Sequence, residues 1–275
     1  MMTPFFFMGY VYTKPIINKL TIQTLLILLL YFYLIVQSIY LLNSYFGKNS
    51  DKFNKRFKGT TIDNKKTEII FLIIAFIFLL GTFIINYLYN WKGSVLIVLN
   101  YILWFLYAFP QTNFKANFLL ASLIHFFSGI INFSLGYLTG AVLSWDSLLI
   151  SIYFSLLFVS GHMHHMVIDY EADKASGMKT LPTVIGFQKT SDLSIIVLLV
   201  ATVFYILLAL NNIVIQQTFI PVLVAFVCHV ALYLVAVRST ITDFNQRICY
   251  RKNYRIIHAL SMTIISVIYL YERIV

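Results

Sequence analysis

Residues 147–168 read SLLISIYFSLLFVSGHMHHMVI, and residues 169–186 follow directly as DYEADKASGMKTLPTVIG. The first stretch is nearly all apolar. It has the roughly 20 residues that an α-helix needs to cross a hydrocarbon layer ~30 Å thick. The second opens with Asp169, Glu171 and Asp173, spaced two apart, and adds Lys174 and Lys179. Asp169 and Asp173 are four apart, so both carboxylates share one face if the helix runs a turn past the membrane surface. Like charges at that spacing repel, and the pattern does nothing for a helix by itself. A divalent cation would remove the repulsion. Mg2+ takes oxygen ligands and is held by one or two carboxylates together with substrate phosphates. The neighbouring lysines suit further phosphate charge. An acid-and-lysine cluster beside an apolar bundle points to a lipid with a diphosphate head group, whose departure positive charge would assist. Spacing alone leaves open a plainer alternative, a solvated loop.

The rest of the chain is built like the first stretch. Of 275 residues 60% are hydrophobic and 11% charged, too much apolar surface for a soluble domain to bury. Phe and Tyr number 25 and 19, which suits lipid contact and interfacial anchoring. Apolar segments cover roughly 4–13, 20–46, 68–89, 93–109, 117–142, 147–168, 193–213, 218–237 and 255–272. No internal repeat or low-complexity linker separates them. The expectation is an all-α membrane bundle of about nine transmembrane helices in a single domain, 1–275. Residues 4–13 are too short to span, so an abbreviated first helix or a start placed too late is expected there. No cleavable signal peptide is expected, because the first residues lack a basic n-region and a small-residue cleavage site. Cys228 and Cys249 imply neither a disulfide framework nor a thiol metal site.

Loop charge sets the sidedness. Sixteen of the 20 Lys and Arg residues fall after the second, fourth, sixth and eighth segments. They include Lys48, Lys52, Lys115, Arg247, Arg251 and Arg255. By the positive-inside rule these loops are cytoplasmic, which places the N-terminus and the 169–186 stretch there too and the C-terminus outside. The net charge of +10 is thus explained by topology, and no nucleic-acid partner is expected.

The 169–186 stretch resembles the second aspartate-rich motif of the UbiA superfamily of intramembrane prenyltransferases, approximately D-x-x-D-x-E-x-D-[RK]-x-x-G-x-[RK]-T-L-P-x-x-x-G. Asp169, Glu171, Asp173, Lys174, Gly177, Lys179, Thr180, Leu181, Pro182 and Gly186 match, and Met166 stands at the first aspartate. The family's first motif, N-D-x-x-D-x-x-x-D, is similar to the segment LLNSYFGKNSD, residues 41–51. Asn43 and Asp51 match there, while Ser44 and Gly47 replace two aspartates. YAFPQTNFK, residues 107–115, resembles Y-S-x-P-P-x-R-x-K through Tyr107, Pro110 and Lys115, with Asn113 in place of the arginine.

The resemblance implies a helical bundle around a central cavity open to the cytoplasmic side. It further implies Mg2+ bridging the aspartate motifs to a prenyl diphosphate, and transfer of the prenyl group to an aromatic or other lipophilic acceptor. The metal ligands it implies are Asp169, Asp173, Asp51 and Asn43, with Asp169 and Asp173 as catalytic residues. Lys115, Lys174, Lys179 and Tyr107 are implied substrate contacts, and Lys48, Lys52 and Lys115 are expected to replace some metal charge. A membrane terpene cyclase and a non-catalytic isoprenoid-binding paralogue are the alternatives.

Other polar residues lie within the apolar segments. His162, His164 and His165, with His125, invite a transition-metal reading. The competing readings are cavity lining, with His165 as a substrate contact, and simple packing. Asn132 is expected to face protein or cavity rather than lipid, and it too is a candidate substrate contact. Gly129, Gly136 and Gly140 fit close helix packing. The sequence points to an integral, multi-pass protein, with a bacterial inner membrane as the expected location.

Overall fold

A helix that is apolar on every side is stable in a bundle only when surrounded. The first helix, α1 (Met2–Tyr12), is such a helix. In the computed structural model Phe5, Phe6, Met8 and Tyr12 are all buried. Phe6 stacks on Phe32 with ring centroids 4.7 Å apart, and the Tyr12 hydroxyl is 2.5 Å from that of Tyr205. The segment too short to cross the membrane therefore serves as core. The structure describes residues 2–13, 19–51, 53–54, 65–89, 91–236 and 244–272.

The other helices are α2 (Lys19–Asp51), α3 (Lys65–Tyr89), α4 (Ser94–Ala108), α5 (Phe118–Tyr137), α6 (Trp145–Ala175), α7 (Leu181–Ile185), α8 (Phe187–Leu210), α9 (Phe219–Ala236) and α10 (Phe244–Tyr271). Eight of them are long and apolar enough to span: all except α1 and the one-turn α7. The chain is an integral multi-pass membrane protein, and no strand occurs among the described residues. α6 is the most buried span and α3 the least. α3 turns Ile73, Phe76, Ile77, Leu80 and Ile84 outward, where they suit contact with lipid.

Close backbone approach fixes α1 against α5. A Cβ at Gly136 would fall on the carbonyl oxygen of Phe6, and one at Gly9 on that of Phe133. Glycine lets the two backbones touch, as small residues do in membrane helix pairs.

Several helices run further than hydropathy indicates. α6 continues to Ala175, α8 begins at Phe187 and α10 begins at Phe244, against expected limits of 168, 193 and 255. Hydropathy marks where the hydrocarbon ends, whereas backbone hydrogen bonding continues into water without apolar side chains. α6 stops where glycine allows it to. Gly177 has φ +71°, its N–H bonds the Lys174 carbonyl, and the Met178 N–H bonds the Asp173 carbonyl. This is a Schellman closure, and it folds residues 178–180 back against the end of α6.

Candidate active site

The extra turns of α6 carry the acids. Asp169 and Asp173 face a cavity of about 410 Å3 enclosed by α2, α4, α5, α6 and α10. The Schellman turn returns Thr180 to Asp173, and its hydroxyl donates to Asp173 Oδ2 at 2.9 Å. Thr180 is the N-cap residue of α7, yet its side chain caps nothing there; it is committed to the carboxylate. Asp169 is held from two sides. Asn54 Nδ2 donates to Oδ1 at 2.8 Å, and His165 Nδ1 lies 2.6 Å from Oδ2.

The 107–117 loop closes another wall. Asn113 takes the left-handed conformation, φ 44°, which Asn tolerates better than most residues. Asn117 accepts the Leu119 and Leu120 N–H groups and caps α5. The Asn117 backbone pairs with Lys179, tying this loop to the turn that carries Thr180. Lys115 is thereby brought to the cavity, and Tyr107 lines it from α4.

Below the polar mouth the lining is aromatic: Trp104, Tyr107, His125, Phe158 and His162. His125 and His162 stack with centroids 3.5 Å apart, and His125 Nδ1 donates to the Ala121 carbonyl at 2.8 Å. His164 faces the other way and bonds Ser194 at 2.8 Å, because adjacent residues are about 100° apart around a helix. No group of three or more His, Cys, Asp or Glu that could hold a metal ion occurs among the described residues, and the histidines here pack against rings and bond to protein groups.

The expected residues sort as follows. Asp169, Asp173, Asn43, Lys115, Tyr107 and His165 all line the cavity. Asn132 does not. It is fully buried between α4 and α5, where it accepts from Asn100 at 3.3 Å and donates to Ser128 at 3.1 Å. Lys174 and Lys179 are exposed and line no part of it. Lys174 follows Asp173 by one residue, so the helix turns it away, and its Nζ sits 5.9 Å from the Tyr170 ring centroid. The side chains of Asp51 and Lys48, and all of Lys52, lie outside the described residues.

Four polar contributors were not anticipated: Asn54, Thr180, Arg251 and Arg255. The arginines stand four apart in a basic run, a helical-face signal that reads as loop charge when α10 is started at 255. They also border a larger groove of about 680 Å3 between α1, α6 and α10, lined by Phe5, Leu157, Ile168 and Met262. No acid lines that groove among the described residues.

The donor set can be weighed against Mg2+. The ion needs oxygen ligands, of which one or two are protein carboxylates when phosphates supply others. Asp169 and Asp173 meet that need. Asn43 adds a buried Oδ1 that has no hydrogen-bond partner, an acceptor suited to a hard cation. These described groups fit one ion. Ser44 and Met166 line the cavity where the resemblance places acids, and no further carboxylate does so among the described residues.

A polytopic helical protein with an acid-and-arginine mouth above an aromatic cavity defines the class. The chain belongs to the UbiA prenyltransferase family, whose model matches residues 2–249. Among solved structures it is similar to a UbiA homolog from Archaeoglobus fulgidus bound to GPP and Mg2+, with 14% identity, 98% of this chain and 96% of that one covered, and a TM-score of 0.73. It is also similar to a digeranylgeranylglyceryl phosphate synthase, with 17% identity, 98% and 93% coverage and a TM-score of 0.68. The Archaeoglobus protein bound to Cd2+ matches at 14% identity, 93% and 95% coverage and a TM-score of 0.61. At these identities the likeness is one of fold. Among curated proteins none is similar enough in sequence to match.

Proposed function

We propose that this protein transfers a prenyl group from a prenyl diphosphate to an aromatic or other lipophilic acceptor, with Mg2+ as cofactor. One observation carries the proposal: Asp169 and Asp173 share a cavity with Lys115 above an aromatic wall. The family and the ligands named for its structural neighbours, GPP and DMAPP with Mg2+, support the same chemistry.

Asp169, Asp173 and the Asn43 Oδ1 would hold the ion, which supplies positive charge to the diphosphate oxygens. Asn54 and Thr180 keep the two carboxylates oriented. Lys115 contributes a point charge to the head group. The C1–O bond breaks with its electron pair leaving on the diphosphate. Trp104, Tyr107 and Phe158 present ring faces that attract the allylic cation and exclude water from it. The acceptor then bonds to C1 and loses a proton.

A single domain spanning 1–275 carries this site. The basic loops support a cytoplasmic mouth and N-terminus, and the location proposed is a bacterial inner membrane.

Diphosphate release from purified protein in nanodiscs tests the proposal, with and without Mg2+, across donors of increasing length and a panel of aromatic acceptors. The expected result is metal-dependent release that Asp169→Asn lowers on the order of a hundredfold or more. The neutral Ser44, Gly47 and Met166, at positions where the resemblance has aspartates, favour a non-catalytic isoprenoid binder. Donor binding without release from any donor would select that reading. Release without any acceptor, giving a hydrocarbon or alcohol, would mark a cyclase.

A further inference from the structure

The acids stand at one end of the cavity and rings stand at the other. Along α6 the lining runs from Asp173 to Phe158. Phe158 precedes Asp169 by three turns of helix, about 16 Å along the axis. Phe5 of α1 packs behind Phe158, edge to face, with ring centroids 5.6 Å apart. From α4, Trp104 meets Phe158 at 6.5 Å and His125 at 5.1 Å. Trp104 and Phe158 therefore form a floor, and the buried helix α1 backs it.

A polar network holds Trp104 in that floor. Its Nε1 donates to Ser128 Oγ at 2.9 Å. The same hydroxyl donates to Asn100 Oδ1 at 2.9 Å and accepts from Asn132 Nδ2 at 3.1 Å. Its single donor and both of its acceptor sites are thus in use. Asn100 Nδ2 donates to Asn132 Oδ1 at 3.3 Å and closes the ring. Asn100, Ser128 and Asn132 are all 0% exposed. A satisfied polar network in an apolar interior is rigid and costly to break, and the side chain this one grips is the indole at the end of the cavity.

The depth of the floor limits the donor. Each isoprene unit adds four bonds to the chain, about 4.5–5 Å when extended, by scaling from the three bonds of an extended residue. The four bonds from the far phosphorus to C1 add about as much again. A C10 diphosphate is then roughly 15 Å long and a C20 diphosphate roughly 25 Å. With the head group at Asp169, the shorter donor fits above Trp104 and the longer one does not.

From this we infer that Trp104 sets the length of the prenyl donor at about two isoprene units, and that Ser128 is the positioning residue that keeps the indole across the pocket. The inference rests on the prenyl-diphosphate reading above. It goes beyond that reading by naming the donor length and the residues that fix it.

Calorimetry on the full chain in nanodiscs with Mg2+ tests this by binding alone. The probes are the thiolo analogue of geranyl diphosphate, in which sulfur replaces the bridging oxygen at C1, and its C15 and C20 counterparts. The unmodified chain should bind the C10 analogue tighter than the C20 one on the order of tenfold or more, with C15 between them. Trp104→Ala should tighten C20 binding on the order of tenfold and leave C10 binding within about threefold. Ser128→Ala removes the acceptor of the indole N–H and should move the C20-to-C10 ratio the same way by a smaller factor. A residue that only stabilises the fold would lower the melting temperature and leave that ratio where it was. C20 binding as tight as C10 binding in the unmodified chain would overturn the inference and leave the prenyl-diphosphate reading standing. So would an unchanged ratio in Trp104→Ala, and an unchanged ratio in Ser128→Ala would overturn the positioning role. Failure of the unmodified chain to bind any of the three analogues would remove the reading itself, and the inference with it. If Trp104→Ala loses the parent melting transition, the ratios in the unmodified chain and in Ser128→Ala decide.

Discussion

Thr180→Val tests the link between the turn after α6 and the metal site. Valine keeps the shape and the extended backbone of threonine and removes only the hydroxyl. That hydroxyl donates to Asp173 Oδ2 at 2.9 Å, and both residues are more than nine-tenths buried, so water does not readily replace it. A hydrogen bond to a charged group contributes about 1.5–3 kcal/mol, which is roughly a ten- to hundredfold change in an equilibrium constant. Loss of a partner that orients a metal ligand costs about the same, roughly 10–100-fold in metal affinity. The Thr180 side chain caps no helix, so α7 should form unchanged. Mn2+ titration of Thr180→Val should therefore show an apparent affinity lower by about ten- to a hundredfold, with Thr180→Ser close to the parent. The donor analogue at saturating metal should bind nearly as before. Metal affinity within twofold of the parent, in a protein that melts at the parent temperature, would refute the positioning role.

Asn132→Ala removes the interhelical hydrogen bond from Asn100 and the bond to Ser128 within α5, and should lower stability by about 1–2 kcal/mol, taking roughly 0.6–1.7 for the interhelical bond in a membrane, while donor affinity stays unchanged; thermal melting and analogue titration read the two effects. Gly136→Ala forces a methyl group onto the Phe6 carbonyl and should destabilise the α1–α5 contact by about 1–3 kcal/mol, seen as a lower melting temperature. Lys115→Ala should weaken donor binding about tenfold, whereas Lys174→Ala and Lys179→Ala should each change it less than about threefold; competition with the thiolo analogue distinguishes them.

Much of the bundle is legible in the order of residues along the chain. Residues 147–168 can only be a span once their length is compared with the bilayer, and the same reasoning locates the other long helices. Asp169 and Asp173 are assigned to one face by their spacing of four, and the cavity confirms that face. Tyr107 and Lys115 follow from a short motif. Elsewhere the same rules mislead. Lys174 and Lys179 belong to the acidic stretch in sequence and leave it in space. Asn132 reads as a ligand contact because a polar residue in a span needs a partner, and its partners turn out to be Asn100 and Ser128.

Composition and hydropathy determined the membrane class and the approximate helix positions, because a bilayer forces every span to satisfy its own backbone and clothe itself in apolar side chains. Local spacing determined which carboxylates face together, because helix geometry is the same everywhere. Only the tertiary structure decided that α1 fills the core, that Asn54 reaches across 115 positions to Asp169, and that Arg251 and Arg255 complete the cavity. Those outcomes depend on how α1, α2, α6 and α10 pack side by side, and packing is set by shape at contacts remote in sequence, which neither hydropathy nor spacing encodes.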